Sequence, residues 1–195
     1  MNIFDKTEKR IIEATLQTLL ENGLSSTTTV KIAKNADLNE VTIFRRFKSK
    51  ANLLKETKNY YLNFALNEIG NVFKYDENKD FDVLLNEIFI DIINFFENNM
   101  DIIQVAIDVN FTLGNTHIVD AVTNKIIDNL TKIFENAMKS KKIRKVNPKM
   151  AAFNIYSIIF QTFIHWRIYG GEQIPNLDKQ IADFLDMFLN GILKE

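Results

Sequence analysis

The residues best suited to chemistry lie in the stretch 27–47, and the chemistry they suit is the binding of a polyanion. Ile43 and Phe47 are four residues apart, so they share one face of a helix, and that apolar face is expected to be buried. Arg45 and Arg46 then remain outside. Because guanidinium groups pair with phosphate oxygens and with the edge of guanine, this short helix is expected to contact nucleic acid.

A second short helix and a turn would hold that helix in place. The preceding segment, 30–36, carries Ala33 and Ala36 on its apolar side, and such small residues let a neighbouring helix approach closely. Asn39 is expected to cap the following helix, since its side-chain oxygen can accept a backbone N–H of the first turn. Two short helices joined by the turn 37–39, with a cationic outer face, are typical of helix-turn-helix domains.

The order and spacing of residues in this part of the chain resemble the DNA-binding domain of the tetracycline-repressor (TetR) family. Some positions depart from the family pattern: Asp37 stands where glycine is usual, and Phe44 and Arg46 replace tyrosine and histidine. A left-handed backbone at Asp37 would rely on the tolerance that aspartate has for it. The residues that carry the resemblance are Gly23, Thr27-Thr28, Ile32-Ala33, the stretch from Thr42 to Lys50, and Leu53-Leu54.

The resemblance implies an all-α fold of two domains. Residues 1–49 would form an N-terminal three-helix helix-turn-helix DNA-binding domain, and a long helix would join it to a helical effector-binding and dimerisation domain, 50–195. The implied function is that of a transcriptional repressor, which binds a palindromic DNA operator as a homodimer and is released by a small apolar or aromatic effector. No cofactor and no enzymatic activity are expected.

Two kinds of DNA contact are expected. In the major groove, Arg45 would pair with a guanine edge, Glu40 would accept from a cytosine amine, and the methyl groups of Val41 would meet a thymine. The phosphate backbone would be touched or flanked by Thr28, Phe44, Arg46, Lys48 and Lys50, and Lys50 is the closest match to a phosphate contact of the family. The full predicted set of DNA-binding residues is Thr28, Glu40, Val41, Thr42, Phe44, Arg45, Arg46, Lys48 and Lys50.

Composition narrows the possible classes of protein. The 195 residues include no cysteine, which excludes disulfides and cysteine-ligated zinc, and the N-terminus has no signal-peptide pattern, so a cytoplasmic protein is expected. Residues 1–58 hold 11 Lys and Arg against 7 Asp and Glu, a net +4, whereas the remainder carries −5. The two histidines, His117 and His165, lack metal-binding spacing, and the sequence has no phosphate-binding glycine loop.

Caps and breakers set the expected helix boundaries. Asp5 and Glu8 have the spacing of a capping box that opens helix 1, and Gly23 would end that helix. Ser49 would cap the long fourth helix, and Asn147 would cap the eighth, with Pro148 at its start. The helices expected after the third run from about Lys50 to Lys74, Phe81 to Asn98, Asp101 to Asn110, Asn115 or Thr116 to Lys139, Pro148 to Tyr169, and Leu177 to Leu193.

The last two helices are more apolar than one protein core requires. The eighth has a single narrow polar stripe, from Asn154 to His165, whereas a surface helix usually shows an apolar stripe of roughly 100°. The excess favours a second protein surface, and the resemblance implies a four-helix dimer interface. A membrane span and a well-covered monomer core are the alternatives. The predicted interface residues are Ile158, Thr162, Phe184, Met187 and Phe188.

Sixteen phenylalanines favour an imperfectly packed helical core with a cleft among helices 4 to 8, where the resemblance implies an effector site. Plain core packing is the competing reading for each ring, and Gln161 is a further possible polar anchor. The predicted lining residues are Tyr60, Phe64, Phe89, Phe96, Asn110, Phe111, His117, Tyr156, Phe160 and Trp166.

Two other classes of protein stay open on the sequence alone. One is a helical protein-interaction module whose basic end contacts an acidic partner, and the other is a small helical enzyme, for which no catalytic constellation is found. Salt-dependent binding to a palindromic duplex separates the regulator from the interaction module, whereas turnover of a substrate would be needed for the enzyme.

Overall fold

The structure, a computed structural model, describes residues 4–76, 78–107, 118–170 and 177–191. Within these residues all regular secondary structure is helical, which confirms the predicted all-α fold. None of these helices, the eighth included, is long and apolar enough to cross a membrane. The helices are α1 (Lys6–Ser26), α2 (Thr29–Asn35), α3 (Glu40–Phe47), α4 (Lys50–Val72), α5 (Phe81–Asn98), α6 (Met100–Ile107), α7 (Ile118–Lys139), α8 (Pro148–Arg167) and α9 (Leu177–Asn190).

The chain divides into two compact units. The first comprises Met1–Leu66 and Asn99–Val122, and the second comprises Asn67–Asn98 and Thr123–Glu195. Helix α4 contributes residues to both. The boundary predicted between residues 49 and 50 separates DNA-binding from effector-binding residues, whereas these two units are defined by compactness. The functional boundary therefore stays a prediction.

Helix α1 begins at the predicted capping box. The Asp5 carboxylate accepts hydrogen bonds from the backbone N–H groups of Thr7 (2.8 Å) and Glu8 (2.9 Å), and the Glu8 carboxylate accepts from the Asp5 N–H (3.0 Å). Gly23, at φ 69° and ψ 171°, breaks the helical geometry, but the chain continues in helical form to Ser26. The prediction that Gly23 ends α1 is therefore right about the break and wrong about the end.

A closed apolar core holds the first unit together. Ile12 of α1, Ile32 of α2 and Ile43 of α3 are buried, and burying one such side chain contributes roughly 1.5–3 kcal/mol. Because these contributions exceed those of the individual caps, the core decides where α3 lies. The buried members of this cluster are Ile11, Ile12, Ala14, Ile32, Ala33, Ala36, Ile43, Phe47 and Leu53.

The second unit is built around α5, which packs against α8 and α9. Helix α8 begins as predicted, since the Asn147 side chain accepts the backbone N–H of Met150 at 3.1 Å and Pro148 stands in the first turn. At the other end of α8, Arg167 donates two hydrogen bonds of 2.6 Å to the Glu97 carboxylate. These bonds tie the end of α8 to the end of α5.

The later helix ends differ from expectation by a few residues. The predicted end of the sixth helix at Asn110 and the predicted caps of the seventh, Asn115 and Thr116, lie outside the described residues. The observed ends are Val72 for α4, Arg167 for α8 and Asn190 for α9, where the sequence predicted Lys74, Tyr169 and Leu193.

Candidate functional site

Helix α3 lies on the surface of the first unit with one face buried. Ile43 and Phe47 are buried as predicted, and the ring of Phe47 lies 6.5 Å from that of Phe4 between centroids. The Asn39 side chain accepts the backbone N–H of Val41 at 2.9 Å, which confirms the predicted cap. The helix is thus fixed by a cap at its start and by buried side chains along its length.

The turn before α3 has the left-handed backbone that the family resemblance required. Asp37 has φ 48°, so an aspartate adopts the conformation for which glycine is usual. Its N–H donates to the carbonyl of Lys34 at 3.1 Å, and the N–H of Leu38 donates to the carbonyl of Ala33 at 2.9 Å. These bonds close the end of α2 and direct the chain into α3.

The outward face of α3 presents Val41, Phe44 and Arg45. Because these positions are three and four residues apart, they lie on a common face of the helix. Val41 is 70% exposed and Phe44 is 45% exposed, while Arg45 is also exposed. Thr42 is half-buried. This face therefore combines two apolar side chains with one guanidinium.

Two of the predicted DNA contacts, Glu40 and Arg46, are bonded within the protein. The Thr29 hydroxyl donates to the Glu40 carboxylate, which links the starts of α2 and α3. Arg46 donates to the Asp5 carboxylate and lies 3.7 Å from that of Glu8. The backbone N–H of Glu8 and the charge of Arg46 hold the pKa of Asp5 below its ordinary value. Sequence reasoning missed both links.

The other predicted contacts stand at helix ends. Thr28 caps α2, because its hydroxyl accepts the backbone N–H of Lys31 at 3.2 Å. Lys48 has φ 67°, and its ammonium donates to the Arg45 carbonyl at 3.0 Å. Lys50 begins α4 and is half-buried. Their roles in binding DNA stay predictions.

A comparison with protein families decides what this arrangement is. Residues 11–57 match the model of "Bacterial regulatory proteins, tetR family". This part of the chain is a TetR-family DNA-binding domain. The matched residues include α2, α3 and the turn between them, so the helix-turn-helix described above is the TetR-family DNA-binding element.

The similarity to other known proteins covers nearly the whole chain. The uncharacterized HTH-type transcriptional regulator YvkB of Bacillus subtilis (strain 168) is 28% identical over 193 residues, which cover 95% of this chain and 97% of that protein. The structure of FadR from Bacillus subtilis in complex with stearoyl-CoA has a TM-score of 0.68 at 18% identity, covering 95% and 99%. The structure of AibR in complex with isovaleryl coenzyme A and operator DNA has a TM-score of 0.65 at 18% identity, covering 96% and 100%.

The predicted effector residues divide between the two units. In the first unit the Tyr60 ring lies 5.9 Å from Phe4 and 5.2 Å from Tyr61, so it packs against the core beneath α3. Phe64 is exposed. Asn110, Phe111 and His117 lie outside the described residues.

In the second unit three of the predicted rings form one cluster. Phe96 lies 5.8 Å from Phe160, which stacks on Tyr156 at 5.5 Å. The Tyr156 hydroxyl shares a hydrogen bond with Thr123. Phe96 and Tyr156 are buried, as is Phe89, so these rings serve as core in this structure. The Trp166 ring lies 4.0 Å from the guanidinium carbon of Arg167, and Gln161 is exposed.

A cleft of about 840 Å³ opens elsewhere in the second unit, where α5 and α8 begin and α7 and α9 end. Phe81, Phe134 and Phe188 contribute its apolar surface, while Lys142 and Arg144 supply positive charge. Asp80 and Asp82 also line it. None of the predicted effector residues that the structure describes lines this cleft, and Phe188 is predicted from the sequence only as an interface residue.

The predicted interface residues differ in exposure. On α8 and α9, Ile158 is 40% exposed and Met187 is 53% exposed. Thr162 is half-buried. Phe184 and Phe188 are half-buried as well, and they contact Phe89 and Phe134 at 5.8 and 6.3 Å respectively. The two phenylalanines therefore also pack within the protomer.

Metal chemistry receives no support from the described part of the chain. No group of three or more His, Asp or Glu side chains there is placed to hold a metal ion. His165, the histidine that the structure describes, is exposed on α8.

Proposed function

We propose that this TetR-family regulator is a repressor that binds a palindromic operator as a homodimer and leaves it when a small effector binds. The observation that carries the proposal is the face of α3: Val41, Phe44 and Arg45 point outward from a helix whose opposite face is anchored in a closed core. A short, rigidly held helix of this kind suits the major groove.

The dimer is supported by the apolar surface of α8 and α9. Met150, Phe153, Ile158 and Met187 are each exposed on these two helices. Such side chains are ordinary singly, but several on adjacent helices indicate an interaction surface. A dimer of two-fold symmetry would present two copies of α3, and a palindromic operator matches that symmetry.

The proposed effector carries an apolar chain. One structural neighbour, FadR, is in complex with stearoyl-CoA, and another, AibR, is in complex with isovaleryl coenzyme A and operator DNA. By analogy we propose an acyl thioester for this chain. The ring cluster of Phe96, Tyr156 and Phe160 stays the predicted site. The cleft is a second position, where an anionic group would meet the guanidinium of Arg144, although Asp80 and Asp82 also line it.

Release of DNA requires only that the effector prefer a conformation that binds the operator poorly. A shift from 99:1 to 1:99 needs roughly 5.5 kcal/mol of differential binding. Two residues separate the end of α3 from the start of α4, and α4 continues into the second unit, so it is the proposed mechanical link. A movement of α4 would change the spacing of the two α3 helices.

The proposal is tested by selecting bound fragments from a pool of random duplexes. The expected outcome is enrichment of a palindrome, and an acyl-CoA should release the enriched duplex at a concentration where coenzyme A alone does not. Recovery of duplexes without a shared sequence would contradict operator recognition. Enrichment of a palindrome that no acyl-CoA releases would support operator recognition and contradict the acyl thioester as the effector.

A further inference from the structure

We propose that α3 reads thymine methyl groups through Val41 and Phe44, so that each operator half-site carries thymines where these two side chains approach the bases. The inference rests on the proposed DNA-binding function and adds the kind of base that the helix selects. The C5-methyl of thymine is the apolar group that base edges present in the major groove. It is therefore the natural partner of an apolar side chain there.

Two large apolar side chains are unusually placed on this helix. Val41 and Phe44 are three residues apart on one face, and both keep a large fraction of their surface in water. The remainder of the apolar residues of α3, Ile43 and Phe47, are buried in the core. The helix thus has enough buried apolar surface without them, and their exposure calls for a partner outside the protomer.

Two polar side chains of α3 that could otherwise contact base edges form bonds within the protein instead. The Glu40 carboxylate, the natural acceptor for a cytosine amine, is held by the Thr29 hydroxyl. Arg46 is paired with Asp5 and Glu8. Arg45 is the charged group that the outward face presents beside the two apolar side chains, so the face matches thymine methyls next to a guanine edge.

The position of Arg46 strengthens this assignment. Its link to Asp5 crosses from the end of α3 to the start of α1, and Asp5 is itself bonded to the backbone of Thr7 and Glu8. A guanidinium held in this way adds to the buried core in limiting the roll of α3 about its axis. The same roll keeps Val41 turned outward, so the two features act together.

The test replaces thymine with deoxyuridine in the selected duplex, since this exchange removes the methyl group and leaves base pairing intact. Removing one buried methyl is expected to weaken binding about fourfold, and about fifteenfold when both symmetry-related positions are changed. The wild-type chain is measured against duplexes with one thymine pair replaced at a time. Equal affinity for the thymine and deoxyuridine duplexes at every position would overturn the inference.

Side-chain variants assign the methyl contact to its residue. The quantity compared is the binding constant for the thymine duplex divided by that for the deoxyuridine duplex. Val41→Ala should bring this ratio close to one at a single base pair of the half-site, and Phe44→Ala should do so at another base pair. Val30→Ala is the matched control, because Val30 is a 61% exposed valine on α2 and the change is chemically identical. That variant should keep the full ratio. If the affinity ratio is unchanged in both Val41→Ala and Phe44→Ala, the inference is also wrong.

The outcome separates this inference from the proposed function. If the wild-type chain binds no duplex above the background of a random sequence, both fail together. If it binds a palindrome with full affinity after all thymines are replaced by deoxyuridine, the regulator stands and methyl reading is wrong. Circular dichroism of each variant shows whether a reduced affinity ratio results from unfolding.

Discussion

The guanidinium of Arg10 donates to two oxygens of Asp37, the main-chain carbonyl at 3.1 Å and the carboxylate at 2.9 Å. Arg10 lies on α1 and Asp37 forms the left-handed turn between α2 and α3. One side chain therefore braces the turn at the backbone position where strain is expected. The carboxylate is almost fully exposed, so the ion pair itself is worth little, about 0–1 kcal/mol.

Substitutions at Asp37 should follow backbone conformation rather than charge. Asp37→Gly loses the carboxylate but relieves the left-handed strain, so the free energy of unfolding should change by less than about 1 kcal/mol. Asp37→Val should lower it by about 1–2 kcal/mol, because a β-branched residue is poorly tolerated there. Urea unfolding measures both. Asp37→Asn is the control, and a loss as large as that of the valine variant would show that charge dominates.

The start of α1 should respond to acid through Asp5. The pKa of Asp5 lies below its ordinary value of 3.8, chiefly because the Glu8 backbone N–H donates to its carboxylate, with Arg46 adding to the effect. The ionised form therefore stabilises the fold. This contribution is complete well above pH 3.8 and is lost as the pH falls through the lower folded-state pKa.

The variant Asp5→Asn isolates that charge, since asparagine caps a helix about as well as aspartate. It should be less stable than the wild type at neutral pH, and the difference should shrink as the pH falls below about 4. Thermal unfolding from pH 7 to pH 3 measures the two curves. Parallel curves would mean that the Asp5 carboxylate contributes through capping alone.

Two basic residues should affect DNA binding in different ways. Arg45→Ala should cost about 1–3 kcal/mol on the preferred duplex and relax the preference at one base position. Lys50→Ala should weaken all duplexes alike and reduce the salt slope by about one unit, as expected for a phosphate contact. Binding isotherms over a salt series distinguish them. Unchanged isotherms for both variants would leave α3 without its proposed contacts.

Met187→Glu should produce a folded monomer, because Met187 is exposed in the protomer and the charge would be buried only in a dimer. Phe188→Glu should in addition lower the melting temperature, since Phe188 contacts Phe134 inside the protomer. Sedimentation at micromolar concentration gives the assembly state. Val83→Glu on α5 is the control for an exposed apolar residue and should stay dimeric. A wild-type chain that sediments as a monomer would end the dimer proposal.

An acyl-CoA should raise the melting temperature of the wild-type chain. A ligand present at 100 times its dissociation constant stabilises the folded state by about 2.7 kcal/mol. Coenzyme A and the free fatty acid are measured beside it. Arg144→Gln should weaken the response if the anionic part of the ligand lies at the cleft that Arg144 lines, and should leave it unchanged if the ligand lies wholly among the rings. No stabilisation by any chain length would exclude the acyl thioester.

Local signals predicted the parts of the fold that depend on neighbouring residues. The capping box of Asp5, the caps Asn39 and Asn147, and the inward face of Ile43 and Phe47 all follow from spacing within one or two turns, and all are confirmed. Asn39, Ile43 and Phe47 among them belong to the helix-turn-helix. These features can be predicted from the sequence because the residues that determine each of them lie within the same short segment.

The partners of charged side chains could not be predicted in this way. Arg46 pairs with Asp5, 41 residues away, and Glu40 is held by Thr29, 11 residues away. Nothing in the sequence distinguishes these ions from solvated ones before the helices are packed. The lining of an effector site could not be predicted for a related reason, since an aromatic residue gives the same sequence signal in a tight core as beside a cavity.

The most direct test of the account is the salt dependence of wild-type binding to the palindrome recovered from selection. For an operator-binding regulator, the logarithm of the binding constant should fall linearly with the logarithm of salt concentration, with a slope of several units. A scrambled duplex should bind at least about 1,000-fold more weakly at physiological salt. Equal binding of the palindrome, the scrambled duplex and an acidic polypeptide across the series would contradict operator binding.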